Sequence, residues 1–142
     1  MSDHAPPGGP LRWEVTAPAE PAVVDTVQDG LVALWREGAV DPHVALRLEL
    51  GLVEIVANIV EHAYDPAETG REITVVVEVA PGRVTASAWD NGRPTGIDLS
   101  TVALPEDDAE SGRGLAMALA ALDELRYERD GERNRWSLVC LR

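Results

Sequence analysis

Residues 54–64 form the most informative segment of this chain, with the sequence Glu-Ile-Val-Ala-Asn-Ile-Val-Glu-His-Ala-Tyr. Glu54, Asn58 and His62 are four residues apart, so on an α-helix they lie on one face. The intervening residues are mostly aliphatic, and a carboxylate and a carboxamide in such surroundings are costly unless they have partners. The helix alone fits two interpretations equally well: a polar stripe that faces a ligand, or one that faces solvent.

The chemistry of this stripe suits a magnesium-bearing ligand. Mg²⁺ takes oxygen ligands and keeps several waters, so the amide oxygen of Asn58 is a suitable ligand. Glu54, one turn earlier, is placed to accept a proton from an attacking hydroxyl or water. We interpret His62 as a residue that packs at the helix end and leave it outside the catalytic set.

A long helix from about residue 41 to residue 64 carries this segment. Asp41-Pro42 is typical of a helix start, with an N-cap residue followed by proline at the first helical position. Apolar residues then cover most of the circumference: Leu46, Leu48, Leu50, Leu52, Val53, Ile55, Val56, Ile59 and Val60. A helix that is apolar on nearly all sides packs against more than one neighbour.

The remaining chain predicts an α/β two-layer sandwich, in which three helices cover one face of a mixed, mainly antiparallel sheet. Alternation and β-branched residues predict strands, and apolar residues at helical spacing predict helices. The predicted strands are 11–17, 73–79, 83–89, 125–129 and 135–141, and the other helices are 20–37 and 114–124. We expect a disordered leader at 1–10, a single domain at 11–142 and a lid loop at about 93–111.

Composition limits the classes of partner. The 142 residues carry a formal net charge of −13, which disfavours nucleic acid and anionic membranes and favours a basic protein partner or simple solubility. All the basic residues are arginines, and the single cysteine, Cys140, excludes an internal disulfide. With neither a signal-peptide pattern nor a long apolar run, we expect a soluble, cytoplasmic protein.

A second candidate segment is Trp89-Asp90-Asn91-Gly92, which ends the predicted strand 83–89. An aspartate at the end of a strand is able to accept a hydrogen bond from an exocyclic amine such as that of adenine. Gly92 would allow the base to lie close to the backbone. The same residues are also typical of an ordinary turn.

A third candidate segment, Gly112-Arg113-Gly114-Leu115, opens the last predicted helix. Free amides and the helix dipole favour a phosphate there, and Arg113 would add a charged contact. A glycine pair before a helix also fits a flexible hinge. The three segments together, in a chain able to form one sheet-and-helix pocket, predict a nucleotide site.

These segments also carry a resemblance to a known family. Residues from about 19 to 141 resemble a stand-alone ATPase domain of the Bergerat (GHKL) type, shared by gyrase, histidine kinases and mismatch-repair ATPases. Within that superfamily they are most similar to the bacterial anti-sigma-factor serine kinases, the RsbW and SpoIIAB-like proteins. The matching boxes are residues 54–64, with their His-Ala-Tyr ending, residues 90–92 and residues 112–115.

The resemblance implies a kinase that uses ATP and Mg²⁺, sequesters a sigma factor and phosphorylates a serine of an anti-anti-sigma protein of the STAS type. Relatives in that family commonly form homodimers, and the resemblance leaves the oligomeric state of this chain open. In this family Glu54 would be the catalytic base and Asn58 the Mg²⁺ ligand. Nucleotide binding would fall to Asn58, Asp90, Gly92, Gly112, Arg113, Gly114 and Leu115.

Residues 93–98 (Arg-Pro-Thr-Gly-Ile-Asp), at the start of the predicted lid, depart from the family, many members of which have an aromatic residue before an acid-proline pair there.

Two further interpretations stay open. The first alternative is a non-catalytic module of the same fold that binds a partner in a nucleotide-dependent way. The second, the catalytic half of a histidine kinase, is disfavoured because no preceding helix carries a phospho-acceptor histidine.

Overall fold

The computed structural model describes residues 10–65, 67–95 and 113–142, with the backbone alone at Arg113. These residues form the strands β1 (Leu11–Pro18), β2 (Glu72–Val79), β3 (Arg83–Asp90), β4 (Glu124–Asp130) and β5 (Arg133–Leu141). They also form the helices α1 (Ala22–Glu37), α2 (Pro42–His62) and α3 (Arg113–Ala121). The predicted leader, apart from Pro10, and the predicted lid, apart from residues 93–95, lie outside the described residues.

The five strands form one sheet in the order β1-β2-β3-β5-β4. Every pair of neighbouring strands is antiparallel. The sheet is therefore purely antiparallel, whereas the sequence predicted a mixed, mainly antiparallel one. Strands β3 and β4, joined through α3, do run in the same direction. The C-terminal strand β5 lies between them, however, and pairs with both, so no parallel ladder forms.

The two-layer sandwich predicted from the sequence is confirmed, with the helices on one face of the sheet. Strands β2, β3 and β5 alternate strictly between buried and partly exposed residues, the pattern of a sheet with one covered face. Buried positions such as Ile73, Val75, Ala88 and Leu138 face the helices. The core therefore lies between the sheet and the helical layer.

Helix α2 occupies the centre of that layer. It contacts α1, α3 and the central strands β3 and β5, as its aliphatic circumference predicted. A Cβ at Gly51 would lie 2.8 Å from the Leu122 side chain, so glycine allows α3 to approach α2 closely. The buried residues of α2 are Val44, Ala45, Leu48, Gly51, Leu52, Ile55, Val56 and Ile59.

Helix α3 ends at Ala121, three residues before the predicted boundary at Glu124. The backbone of Asp123 donates to the Val139 carbonyl at 2.8 Å, which starts the β4–β5 ladder. The Asp123 carboxylate accepts from the Leu141 amide at 2.6 Å and from Arg47 at 3.0 Å. These contacts, made between residues far apart in the sequence, end the helix where its local pattern would continue.

No helix within the described residues is both long and apolar enough to cross a bilayer.

The packing of α2 predicts different effects for two leucines of the same helix. Leu48 is fully buried, whereas Leu46 is 66% exposed. We expect Leu48→Ala to lower the free energy of unfolding by about 2–5 kcal/mol, because it leaves a cavity in the core. Leu46→Ala should change it by less than about 0.5 kcal/mol. Urea titration measures both variants, and equal losses would contradict the position assigned to α2.

Candidate functional site

A cavity of about 610 Å³ opens between the C-terminal half of α2, the end of β3 and the start of α3. It brings together residues from all three segments singled out in the sequence: Glu54 and Asn58, Asp90, and Gly114 with Leu115. The described side chains of Glu54 and Asn58 make no hydrogen bond or ion pair within the described part of the chain. Glu54 and Asn58 therefore face the cavity, and the described residues leave their hydrogen-bonding capacity unused.

Glu54 lies directly against the beginning of α3. A Cβ at residue 114 would be 2.3 Å from Glu54 Oε2, far inside van der Waals contact. Any side chain at Gly114 would displace this carboxylate. Glycine at this position thus has a structural reason, because it lets an acid of α2 lie against the start of α3.

Asp90 is the most buried acid in the described chain, with 2% of its surface exposed. Its Oδ1 accepts hydrogen bonds from the Gly92 amide and from Asn134 Nδ2, both at 2.8 Å. Its Oδ2 is buried and has no partner among the described residues. A buried acceptor without a partner is unfavourable in isolation and marks a position for a ligand donor.

Burial raises the pKa of the Asp90 carboxyl above its ordinary value of 3.8. The hydrogen bonds from Asn134 and Gly92 and the nearby Arg129 guanidinium act in the opposite direction and favour the charged form. Asp90 therefore combines a desolvated carboxylate with a small set of donors that stabilise it.

Gly92 packs closely against the residue that follows α2, which leaves no space for a side chain. A Cβ there would lie 2.5 Å from the Ala63 carbonyl oxygen and 2.6 Å from the Ala63 Cβ. The next amide, that of Arg93, donates to the same carbonyl at 3.0 Å. Close contact with Ala63 is thus a structural reason for glycine, whereas the sequence suggested close approach of a base.

Asn134 is a functional candidate that the sequence analysis missed. It is 2% exposed, lies opposite Asp90 in the β3–β5 register and lines the cavity. The signal was present, because Asn134 continues the inward-facing series of Trp136, Leu138 and Cys140. A polar residue at a core position of a strand calls for a partner.

Asn91 ties the end of α2 to the sheet beside the cavity. Its Oδ1 lies 2.8 Å from the Tyr64 hydroxyl and accepts from the Glu72 amide at 2.9 Å, while its Nδ2 donates to the Gly70 carbonyl at 2.8 Å. Burial and the charge of Asp90 raise the pKa of Tyr64 to about 12. The tyrosine of the His-Ala-Tyr ending is therefore a structural brace that stays protonated.

Two predicted site residues, Gly112 and Arg113, fall partly or wholly outside the described residues. Gly112 lies outside the described residues, and at Arg113 only the backbone at the start of α3 is described. His62 lines the cavity but is largely exposed, with its Nε2 3.5 Å from Glu61. Among the described residues, no group of three His, Cys, Asp or Glu side chains is arranged to hold a metal ion.

Comparison with known families agrees with this architecture. Residues 17–140 match the model of the histidine kinase-like ATPase domain. The chain belongs to this family. The match includes every described residue that lines the cavity, so the Bergerat-type ATPase fold inferred from the three boxes is confirmed. A search among curated proteins gave no match.

A solved structure supports a narrower relationship. The chain is similar to the crystal structure of the RsbU and RsbW domains of Rv1364c from Mycobacterium tuberculosis, with a TM-score of 0.68 and 25% sequence identity. The similarity covers 92% of this chain and 32% of that one, so this chain spans about a third of the length of the chain it matches. The predicted resemblance to RsbW-like ATPases is confirmed, and the family membership indicates an ATP-binding domain.

The raised pKa of Asp90 predicts how nucleotide-free stability depends on pH. Between 3.8 and the raised value, the folded protein holds a proton that the unfolded chain has released. Wild-type stability therefore falls as the pH rises through this window and stays lower above it. Asp90→Asn removes this titration and keeps an oxygen for Gly92 and Asn134, so the apo variant should be more stable than wild type at neutral pH.

Urea unfolding without nucleotide, repeated at several pH values, measures this difference. It should shrink as the pH falls through the same window and be smallest below 3.8, where the carboxyl of the unfolded chain is protonated as well. An Asp90→Asn variant that is less stable than wild type at neutral pH would show that the buried charge does not destabilise the folded protein.

Proposed function

We propose that this chain is an ATP-dependent protein serine kinase that also acts as an anti-sigma factor. The observation that carries the proposal is the shared cavity: Glu54, Asp90 and Gly114, from three different elements, line one space. A phosphoryl-transfer site needs a base recognition point, a phosphate site and a proton acceptor within the span of one nucleotide. These residues supply one group for each requirement.

Adenine recognition is assigned to Asp90. Its Oδ2 is buried without a partner, and the exocyclic amine of adenine is a donor that would satisfy it. Such a bond favours adenine over guanine, which carries an oxygen acceptor at the same position of the ring. Gly92 supports the arrangement by holding the turn after β3 against Ala63.

Phosphate binding is assigned to the start of α3. Gly114 and Leu115 line the cavity at this helix terminus, where backbone amides and the helix dipole favour negative charge. Gly112 and Arg113 complete the proposed set from the sequence pattern. The predicted lid at 93–111 would cover the bound phosphates.

Mg²⁺ fits this site as a companion of the nucleotide. Asn58 offers one amide oxygen in the cavity, and Mg²⁺ is typically held by few protein ligands together with phosphates and water. The absence of a three-carboxylate cluster among the described residues is consistent with that donor set. When bound, the ion would neutralise phosphate charge, and Asn58 would hold it without adding a negative charge.

Glu54 is the proposed general base. Its carboxylate would accept the proton of the substrate serine hydroxyl as the serine oxygen bonds to the γ-phosphorus and the bond to ADP breaks. The closeness of this carboxylate to Gly114 supports the proposal, because the start of α3 is the proposed phosphate site. An acid at the adenine end could not reach the transferred group.

The proposed partners are a sigma factor and an anti-anti-sigma protein of the STAS type. The RsbW domain named in the similar structure supports a regulatory role for a domain of this kind. The net charge of −13 suits a basic protein surface better than nucleic acid or an anionic membrane. We further propose that the protein works in the cytoplasm and forms a homodimer.

The adenine assignment predicts the effect of one substitution. Asp90→Asn should lower the affinity for ATP by about tenfold or more, because a charged acceptor is replaced by a group that also carries donors. Isothermal titration calorimetry with ATP and Mg²⁺ measures this. Unchanged affinity would remove adenine recognition from Asp90.

The base assignment predicts a different result for Glu54→Ala, which should abolish phosphate transfer and leave ATP affinity close to that of wild type. Partners are first recovered by pull-down with and without ATP and identified by mass spectrometry, and labelled ATP then reports transfer to a recovered STAS-type protein. Glu49→Gln is the control, because Glu49 lies on the same helix outside the cavity and contacts Trp35.

Each outcome of this assay has a clear meaning. Full transfer by Glu54→Ala would show that another group is the base. An ATP-dependent pull-down without transfer by the wild type would instead support the non-catalytic binding module. Autophosphorylation on histidine would point to the histidine kinase interpretation.

A further inference from the structure

The buried amide of Asn134 has a complete set of hydrogen bonds. Its Nδ2 donates to Asp90 Oδ1 and to the Arg93 carbonyl, both at 2.8 Å. Its Oδ1 accepts from the Arg129 guanidinium at 3.0 Å and from the Tyr127 hydroxyl. A carboxamide has two N–H donors and two acceptor lone pairs, so this network uses all of them.

The network also fixes the orientation of the amide. A flipped Asn134 would turn its oxygen toward the Asp90 carboxylate and the Arg93 carbonyl, and its NH₂ group toward the Arg129 guanidinium. Each of these would be a contact between like groups. Since no capacity is left for a nucleotide, Asn134 acts on the ligand through the protein groups that it holds.

The same side chains hold one wall of the cavity. Arg129 donates to the Gly92 carbonyl at 2.8 Å, and the Tyr127 hydroxyl accepts from the Thr95 amide at 3.1 Å. With the bond from Asn134 to the Arg93 carbonyl, the backbone from Gly92 to Thr95 is fastened at three points. Arg93, Pro94 and Thr95 line the cavity.

We propose that Asn134, Tyr127 and Arg129 form a positioning cluster for nucleotide recognition. The cluster orients Asp90 so that its second oxygen is presented to the base, and it holds residues 92–95 at the matching distance. This inference rests on the proposed role of Asp90 in adenine binding. It assigns a function to three residues outside the three sequence boxes.

Electrostatics gives the cluster a measurable signature. The Asn134 hydrogen bond and the Arg129 charge keep the pKa of Asp90 from rising as far as burial alone would take it. Without them the carboxyl is protonated at a higher pH, and a protonated Asp90 is a weaker acceptor for the adenine amine. Loss of the cluster should therefore move the pH at which ATP binding weakens to a higher value.

The test is calorimetric ATP titration at a series of pH values from neutral to mildly acidic. Asn134→Ala should lower the affinity by about tenfold at neutral pH, with a larger loss as the pH falls. Tyr127→Phe removes one hydroxyl but keeps the ring, whose centroid lies 4.9 Å from that of Trp136. It should weaken binding by a smaller factor and carries the test if Asn134→Ala does not fold.

Asn91→Ala is the matched control. Asn91 is adjacent to Asp90 in the chain and also makes several hydrogen bonds, but these go to Tyr64, Glu72 and Gly70. Its loss should lower stability and leave both ATP affinity and its pH profile as in wild type. An equal effect of Asn91→Ala and Asn134→Ala on binding would reduce the cluster to a general contribution to stability.

Two failures are distinguishable. If Asp90→Asn binds ATP as well as wild type, the proposed role of Asp90 is wrong, and the cluster has no adenine-binding group to position. If Asp90→Asn loses affinity but folded Asn134→Ala and Tyr127→Phe retain the wild-type affinity and pH profile, the adenine site stands and the positioning cluster is refuted.

Discussion

The packing of helix α2 against the sheet and α3 is the constraint on which the site depends. Buried aliphatic residues fix the helix on the central strands, and the Gly51–Leu122 contact brings α3 close. That approach places Gly114 against the Glu54 carboxylate. The distance between the proposed proton acceptor and the proposed phosphate site is therefore set by the hydrophobic core, since close-packed interiors transmit small displacements.

The second feature is a carboxylate held where the fold alone would not favour it. Burial disfavours the charge of Asp90, and hydrogen bonds from Asn134 and Gly92, together with the nearby charge of Arg129, offset part of that cost. A ligand that satisfies Oδ2 recovers stabilisation that the empty fold lacks. Functional sites commonly carry such local penalties, because they become binding energy when the ligand arrives.

The sequence predicted the two-layer fold, the three helices and the grouping of Glu54, Asn58, Asp90 and Gly114, because each rests on local periodicity or a short motif. It did not predict the end of α3, which depends on contacts of Asp123 with distant residues. It also predicted a mixed sheet, which is wrong because β5 lies between β3 and β4. The position of β5 depends on the topology of the whole sheet and not on a local pattern. Asn134 was missed because its partner in the register lies 44 positions away.

The most direct measurement is a crystal structure of the protein with Mg²⁺ and a non-hydrolysable ATP analogue. We expect the adenine amine on Asp90 Oδ2, the phosphates at the start of α3 beside Gly114, the ion on Asn58, and Glu54 facing the γ-phosphate. A nucleotide bound outside this cavity, or inside it with the base away from Asp90, would show that the three segments do not form one nucleotide site.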